Sequence, residues 1–404
     1  AAKDARMVEV PGPDGVREVR ISSPDRELWP DTGITQLVLA EYLVSVGDCL
    51  MPVVGHRPIT LQRFPQGIEG EEFFAKNPPR GVPDYAQTVT LTYPSGRQHP
   101  QLVLNELAVG VWAIQMNTIT MHPWPVSVTG EPNDTDHPDE LRIDLDPQPG
   151  RDFHDAVTAA IALRDVLAEL GLTAYAKTSG NRGVHVHARI DPTHEFLDVR
   201  HGVIAIAREL ERRLPELVTT AWWKEQRGEK VFVDFNQANR DRTIASAYSP
   251  RPLPGAPVSM PVAWDDLSAV TPQDFTVLTV PGIVAAGEDP WVSMPNHVGD
   301  IAGALAWWER DVADGLPELN FPPDYPKMPG EPPGCSRPRS VTRTRPTSRT
   351  RAATCATTRR SRPAAGTPRA GGADERGTTA DRRAGRVPQR RGRPGPRRGS
   401  GHGG

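Results

Sequence analysis

The sequence predicts a mixed α/β fold of the α+β kind, a central sheet with helices dispersed among its strands. Two observations carry that prediction. Segments with apolar residues at helical spacing interleave with segments that alternate apolar and polar residues, and 404 residues suffice for one large domain or two smaller ones with real cores. Taken in order, "REVRIS" (17–22) alternates as a strand does, and Thr35 to about Met51 carries a helical pattern. "PITLQRF" (58–64) and "QTVTLTY" (87–93) read as strands, and Asn105 to Asn117 as a helix. From Asp139 the order becomes a strand at 141–146, a helix at about 152–170 closed by Gly171, a strand at 172–177, a turn, and a strand at 184–190. A helix at about 198–214 and a strand at 231–235 follow, and the Pro-rich stretches 249–261 and 317–333 read as extended wrapping segments.

Charge divides the chain sharply. From Cys335 to the end there are 19 Arg, no Lys and 3 acidic residues, which leaves 28 basic and 47 acidic residues before that point. The segment 335–404 has no Leu, Ile, Met, Phe, Tyr or Trp, so it cannot bury a core and is expected to be disordered. Two readings of it stay open. It is an Arg-rich arm for nucleic-acid phosphates, or it is GC-rich coding sequence read out of frame, which yields this Arg/Ala/Gly/Pro/Thr/Ser composition; no function is built on it.

Three cysteines without a CxxC pair support neither a zinc ribbon nor a disulfide framework. The N-terminus has no basic-then-apolar leader pattern, and "LVLAEYLVSVGDCLMPVV" is broken by Glu41 and Asp48 and too short to span a bilayer. A soluble, cytoplasmic protein with no membrane partner is expected.

Three stretches could do chemistry. In "ELRIDLDPQPG" (140–150) strand alternation sends Leu141, Ile143 and Leu145 one way and Arg142, Asp144 and Asp146 the other. Two carboxylates on one face, about 6–7 Å apart at Cα, can converge on hard cations. In "EKVFVDFNQ", Val231, Val233 and Phe235 form an apolar face and Asp234 points the other way. A lone acid there binds metal or pairs with an Arg. In "KTSGNRGVHVHARI" (177–190), Gly180 and Gly183 frame a tight turn whose N–H groups can cradle phosphate, with Ser179 and Arg182 as donors. His185, His187 and Arg189 follow on one strand face and read as a cationic wall facing a triphosphate; an ordinary Gly-containing hairpin is the plainer alternative.

A DxD strand, a Ser-Gly-x-x-Gly-x-His turn and strand, and a lone-Asp strand, in that order, resemble the archaeo-eukaryotic primase superfamily. Within it the chain is similar to the polymerase domain of bacterial DNA ligase D and its stand-alone actinobacterial and mycobacterial primase-polymerase C relatives, from about Ser22 to about Lys327. The resemblance implies a primase-polymerase fold with an RRM-like catalytic sheet and a second, N-terminal α/β lobe. Residues 1–20 would be an extension and 21–330 the catalytic domain, its lobes meeting near residue 130. It implies template-dependent addition of NTPs or dNTPs to a primer 3′-hydroxyl, filling short DNA gaps in repair and accepting ribonucleotides.

The resemblance makes Asp144, Asp146 and Asp234 the catalytic acids, holding two Mn²⁺ or Mg²⁺ ions. It assigns Ser179, Gly180, Arg182, Gly183 and His185 to the triphosphate turn, joined by His122, Arg251, Gln237 and Arg227. Phe73 or Phe74 would stack on template DNA, with Lys76 on a phosphate and Arg63 lining the groove; residue pattern alone puts one of the two Phe in the core. Arg26 falls at a position that grips a downstream 5′-phosphate, but Gln36 stands where a second lysine is usual, so gap recognition is expected to be weaker or differently built. Expected partners are gapped or primer-template DNA, nucleoside triphosphates, an ATP-dependent DNA ligase and an end-binding protein, with a monomer at the nucleoid. A non-catalytic DNA-end scaffold and a DxD manganese-dependent glycosyltransferase remain as alternative readings.

Overall fold

In the computed structural model the described residues are 5–130 and 133–319; the Arg-rich stretch 335–404 and most of 317–333 lie outside them. The chain begins with the hairpin β1 (Arg6–Gly12) and β2 (Gly15–Ile21), whose Val8, Val10, Val19 and Ile21 are buried in the main core. Residues 6–20 are thus built into the core rather than appended to it. A short pair, β3 (Glu27–Trp29) and β4 (Ile34–Thr35), leads into the first helix.

Where the sequence suggests one helix from Thr35 to Met51, there are two: α1 (Gln36–Ser45), capped by the Thr35 hydroxyl, and α2 (Gly47–Val54), bent by 72° from it. The residue at the bend meets a neighbour 60 residues away. A Cβ at Gly47 would fall well inside the contact radius of the Leu107 side chain, so the bend sits where the next helix packs in. Neither segment, nor any other single helix among the described residues, is long and apolar enough to cross a membrane.

The first large sheet contains β5 (Pro58–Arg63), β6 (Phe73–Ala75), β7 (Thr88–Thr92), β8 (Gln98–Val103) and, after α3 (Leu107–Gln115), β9 (Thr118–Pro123). β5 lies between β9 on one side and β8 and β6 on the other, which leaves β6 on an edge.

The second sheet is built around β10 (Glu140–Pro147). It adds β11 (Tyr175–Thr178), β12 (Val184–Ile190), β13 (Val218–Thr219) and β14 (Val231–Asp234), with β15 (Ser249–Pro250) and β16 (Val258–Ser259) forming a separate pair beside it. The order is β13–β14–β10–β12–β11–β17, where β17 is Pro261–Val262, and β18 (Val298–Gly299) joins β12. Leu141, Ile143, Leu145, Val184, Val186, Val231 and Val233 are fully buried on the apolar face. Against it pack α4 (Phe153–Glu169), opened by an Asp152 capping box, and α5 (Phe196–Arg213). α6 (Lys224–Arg227) precedes β14, and α7 (Val280–Ala286) and α8 (Ala302–Ala313) close the described chain. The strand expected at 172–177 starts only at Tyr175. The strand expected to reach Phe235 stops at Asp234, whose carboxylate accepts the Asn236 N–H and turns the chain into a 3₁₀ turn.

Candidate active site

Register sets the site. β10 is flanked by two antiparallel strands, and Asp144 sits opposite His185 of β12 on one side and opposite Asp234 of β14 on the other. Asp146 follows two residues on, on the same face. His185 is in turn opposite Lys177 of β11, so Lys177, His185, Asp144 and Asp234 form one row across four strands.

The acids have basic side chains near them but none paired with them directly. Burial first, then the charges of Asp234 and Asp146, push the Asp144 carboxyl up to about 8, with Lys177 and Arg251 opposing. Burial also raises Asp234, partly offset by hydrogen bonds from Gln237 and Asn236. Among the described residues no Lys or Arg forms an ion pair with Asp144, Asp146 or Asp234. Asp144 has only His185 Nε2, at 3.5 Å. The Asp–Arg pairing left open for Asp234 is therefore not what is found; its Oδ2 accepts from the Gln237 amide at 2.9 Å.

The glycine turn is tight for two separate reasons. Gly180 has φ +70°, and a Cβ there would lie 2.5 Å from Arg251 Cγ; a Cβ at Gly183 would collide with the Leu145 carbonyl oxygen of β10. Ser179 Oγ accepts the N–H groups of Asn181 (3.2 Å) and Gly183 (3.0 Å). Two of the N–H groups expected to cradle phosphate are thus already engaged, while the Ser179 hydroxyl proton stays available for donation. Arg182 is exposed, and Arg251 reaches the Ser179 carbonyl through Nη1 at 3.2 Å.

The cationic wall is corrected. His185, His187 and Arg189 do share a face, but only His185 reaches the acids. His187 Nδ1 lies 2.5 Å from Glu140, and Arg189 pairs with Asp139 at 3.0 Å, within a buried network that also takes Arg57 and Arg142. Burial, then neighbouring cations, hold His185 well below the usual imidazole range. His187 is lowered to about 4, chiefly by burial, and His122 to about 3 by burial, Arg251 and Lys177. All three imidazoles are neutral at pH 7.

A cleft of about 220 Å³ brings together His122, Asp144, Asp146, Ser179, Arg182, Gly183, His185 and Arg251. Asp234, Gly180, Gln237 and Arg227 sit outside that lining, Asp234 being one strand away, opposite Asp144. Arg227 lies 3.5 Å over the Phe232 ring and reaches Asp146 only through Gln148, by links of 3.4 and 3.1 Å.

A family model for the LigD primase-polymerase domain matches residues 35–291, more than half of the chain. The chain belongs to the LigD primase-polymerase domain family. It is 33% identical over 292 residues to the multifunctional non-homologous end joining protein LigD of Pseudomonas aeruginosa, covering 71% of this chain and 34% of that protein. It is 30% identical over 265 residues to the bifunctional end joining protein LigD of Bacillus subtilis, covering 65% and 42%. The chain thus matches less than half the length of either relative. The solved polymerase domain of Mycobacterium tuberculosis ligase D, in complex with DNA, aligns with TM-score 0.64 at 26% identity over 69% of this chain and 98% of that one. The expected fold is borne out, and the chain is a DNA-directed nucleotidyltransferase domain of the LigD primase-polymerase type.

The acids fit hard divalent cations by chemistry: carboxylate oxygens, mutually repelling, without basic partners. Their side chains are not gathered as a closed ligand set; among the described residues no three His, Cys, Asp or Glu side chains are so placed. Gln148 holds Asp146, and Gln237 holds Asp234.

The face expected to meet DNA differs in two respects from the sequence reading. Phe73 and Phe74 are both exposed, at 42% and 49%, because β6 is an edge strand with neither face covered. Phe73 lies under Arg63, which also donates to the Met116 carbonyl, and Phe74 meets His122 edge-on. Lys76 stands over Tyr93 and 3.7 Å from Asp241, at a second depression of about 450 Å³ that Arg97 and Arg242 also line. Gln36, in contrast, is fully buried, its amide spent on Ile114, Gln115 and Asn117, so it is unavailable to a phosphate. Arg26 is exposed, with Nη1 shared between Pro65 and Asn117. Sequence reasoning missed Lys177, which is fully buried one row position from His185.

Proposed function

We propose that this chain adds ribo- or deoxynucleotides to a primer 3′-hydroxyl opposite a DNA template, filling short gaps during end-joining repair. One observation carries the reading: Asp144 and Asp234 face each other across neighbouring strands with no basic side chain paired to them, and Asp144 and Asp146 line a cleft whose other wall is the glycine turn. Asp144, Asp146 and Asp234 would hold Mn²⁺ or Mg²⁺. When bound, a pair of such ions supplies the Lewis acidity that activates the primer hydroxyl and offsets charge on the departing pyrophosphate.

The remaining work falls to the chain's own groups. Arg182 and Arg251 bring permanent charge to the triphosphate, the Ser179 hydroxyl donates to it, and the neutral His122 and His185 contribute hydrogen bonds rather than charge. Gln237 and Gln148 hold the acids in register until metal and nucleotide arrive. Phe73 and Phe74 offer stacking surfaces to template bases, with Lys76 and Arg63 beside them for backbone phosphates. Arg26 alone serves a downstream 5′-phosphate, which makes gap recognition less phosphate-dependent than two basic residues would. An ATP-dependent DNA ligase and an end-binding protein would be the chain's partners, in keeping with the non-homologous end joining that the names of its relatives give for those proteins.

The test is primer extension by the full chain on gapped and primed DNA with Mn²⁺ and labelled NTPs or dNTPs. Extension that disappears in Asp144→Ala and Asp234→Ala supports the reading. Tight DNA binding without extension by the unaltered protein would replace it with a scaffold role.

A further inference from the structure

Lys177 is a fully buried lysine to which the proposed chemistry assigns nothing. Its ammonium nitrogen has three neighbours: the Ala245 carbonyl at 2.9 Å, Ser259 Oγ at 2.5 Å and His185 Nδ1 at 2.7 Å. The Ser259 hydroxyl gives its own proton to the Thr178 carbonyl at 2.7 Å, so toward Lys177 it can only accept. Ala245 O can only accept as well. With the lysine charged, its three protons go to Ala245 O, Ser259 Oγ and His185 Nδ1, whereas a neutral amine would give two and accept the third contact from Nδ1–H. The opposite edge of the same ring, Nε2, lies 3.5 Å from Asp144 Oδ1 in the cleft.

We propose that Lys177 is a positioning residue for His185. It locks the imidazole by making Nδ1 an acceptor, so that Nε2–H points into the cleft as a donor beside Asp144. The inference rests on the polymerase reading for what that donor serves, namely an oxygen of the incoming triphosphate, but not for the tautomer itself. Without Lys177 the ring is free to rotate or to carry its proton on Nδ1, and the cleft then meets a bare lone pair where a phosphate oxygen needs a donor. The row explains why a lysine can do this from below: Lys177 and His185 are cross-strand neighbours on one face, and residues 245 and 259 roof that face. Burial first, then Arg251 and Arg142, hold the Lys177 amine well below its usual range, against Asp144 and Glu140, which favour the charge. Positioning of this kind needs the charged form, and a neutral amine would show as a protonated Nδ1 in the nitrogen-15 spectrum.

The experiment has two readouts. In the unaltered full-length chain, nitrogen-15 shifts of the His185 ring, identified by their loss in His185→Asn, are expected to show a protonated Nε2 and an unprotonated Nδ1. Lys177→Met, checked by thermal melting, is expected to disturb that pattern and to raise the KM for the incoming nucleotide about tenfold, with a smaller change in kcat. In a His185→Asn background the same substitution should add nothing further. A protonated Nδ1 in the unaltered protein overturns the proposal, as does a Lys177→Met effect that adds in full to that of His185→Asn. If Lys177→Met does not fold, the spectrum of the unaltered chain decides alone. Failure of that chain to extend a primer would strike the polymerase reading and leave the tautomer result standing.

Discussion

Asp234→Asn is expected to make the metal-free protein more stable while abolishing nucleotide transfer. Asp144 and Asp234 are direct cross-strand partners, and such pairs have Cα atoms about 4.5–5.5 Å apart. Two unit charges about 5 Å apart at an effective dielectric near 20 repel by roughly 3 kcal/mol. Asn is nearly isosteric; its one oxygen can accept the Asn236 N–H that Oδ1 takes, and its NH2, in place of Oδ2, can donate to the unpartnered Gln237 Oε1 once that amide turns over. The gain is therefore expected to be on the order of 1–3 kcal/mol, a rise of several degrees in melting temperature for a domain of this size. The sign depends on pH. The folded Asp144 carboxyl titrates at about 8, above its unfolded value near 3.9, so the folded state holds the extra proton and loses stability as pH rises between those values. The variant should then match the parent near pH 4 and exceed it most at pH 8 and above. Melting curves in EDTA at pH 4, 6 and 8, alongside primer extension, test this. A variant less stable than the parent at pH 8, or one that keeps more than a tenth of the parent's extension rate, refutes the account of the acids as an uncompensated cation site.

Other expectations follow from the same geometry. Gly183→Ala places a methyl against the Leu145 carbonyl, where only backbone can yield, and should cost about 1–3 kcal/mol of stability and displace the turn from Asp146, read by melting and by nucleotide KM. Phe74→Ala removes an exposed ring and should leave the melting temperature within a degree or two while weakening primer-template binding by about 1–3 kcal/mol, measured by fluorescence anisotropy. Glu140→Gln leaves Arg57, Arg142 and His187 without their shared carboxylate and should destabilise by about 3–5 kcal/mol. Burial alone would raise Glu140, but Arg142 and Arg57 hold it well below its usual range. The parent therefore keeps this contribution above about pH 4 and loses it as pH falls further.

The second sheet was legible because β10 and β12 each have one apolar and one polar face, and in β14 Asp234 breaks an otherwise apolar run. β9 escaped because all six of its residues are buried and no alternation marks it. β8 carries Pro100 and reads as a loop. The bend between α1 and α2 was invisible because the apolar pattern runs through Gly47, and the Leu107 side chain that packs there is distant in sequence. Within the site, residue identities and their shared faces could be read, but not charge states. The neutrality of His122, His185 and His187 comes from burial by segments that local sequence does not reveal. Lys177 escaped for the same reason: its partners Ala245 and Ser259 arrive about 70 and 80 residues later. Both Phe73 and Phe74 are exposed because a three-residue edge strand has no cover, a fact of topology rather than of pattern.

The four-strand row from Lys177 to Asp234 also governs when the protein can act. Its members are delivered by segments spread over nearly a hundred residues, and its last acid comes only after α5 has folded back to place β14 against β10. A nascent chain still lacking β14 has a bare edge on β10 and two of the three proposed acids, so on the polymerase reading it would transfer no nucleotide. Pairing between strands so far apart in sequence makes such a centre slow to assemble, and on the same reading it would confine nucleotide transfer to chains that have finished folding.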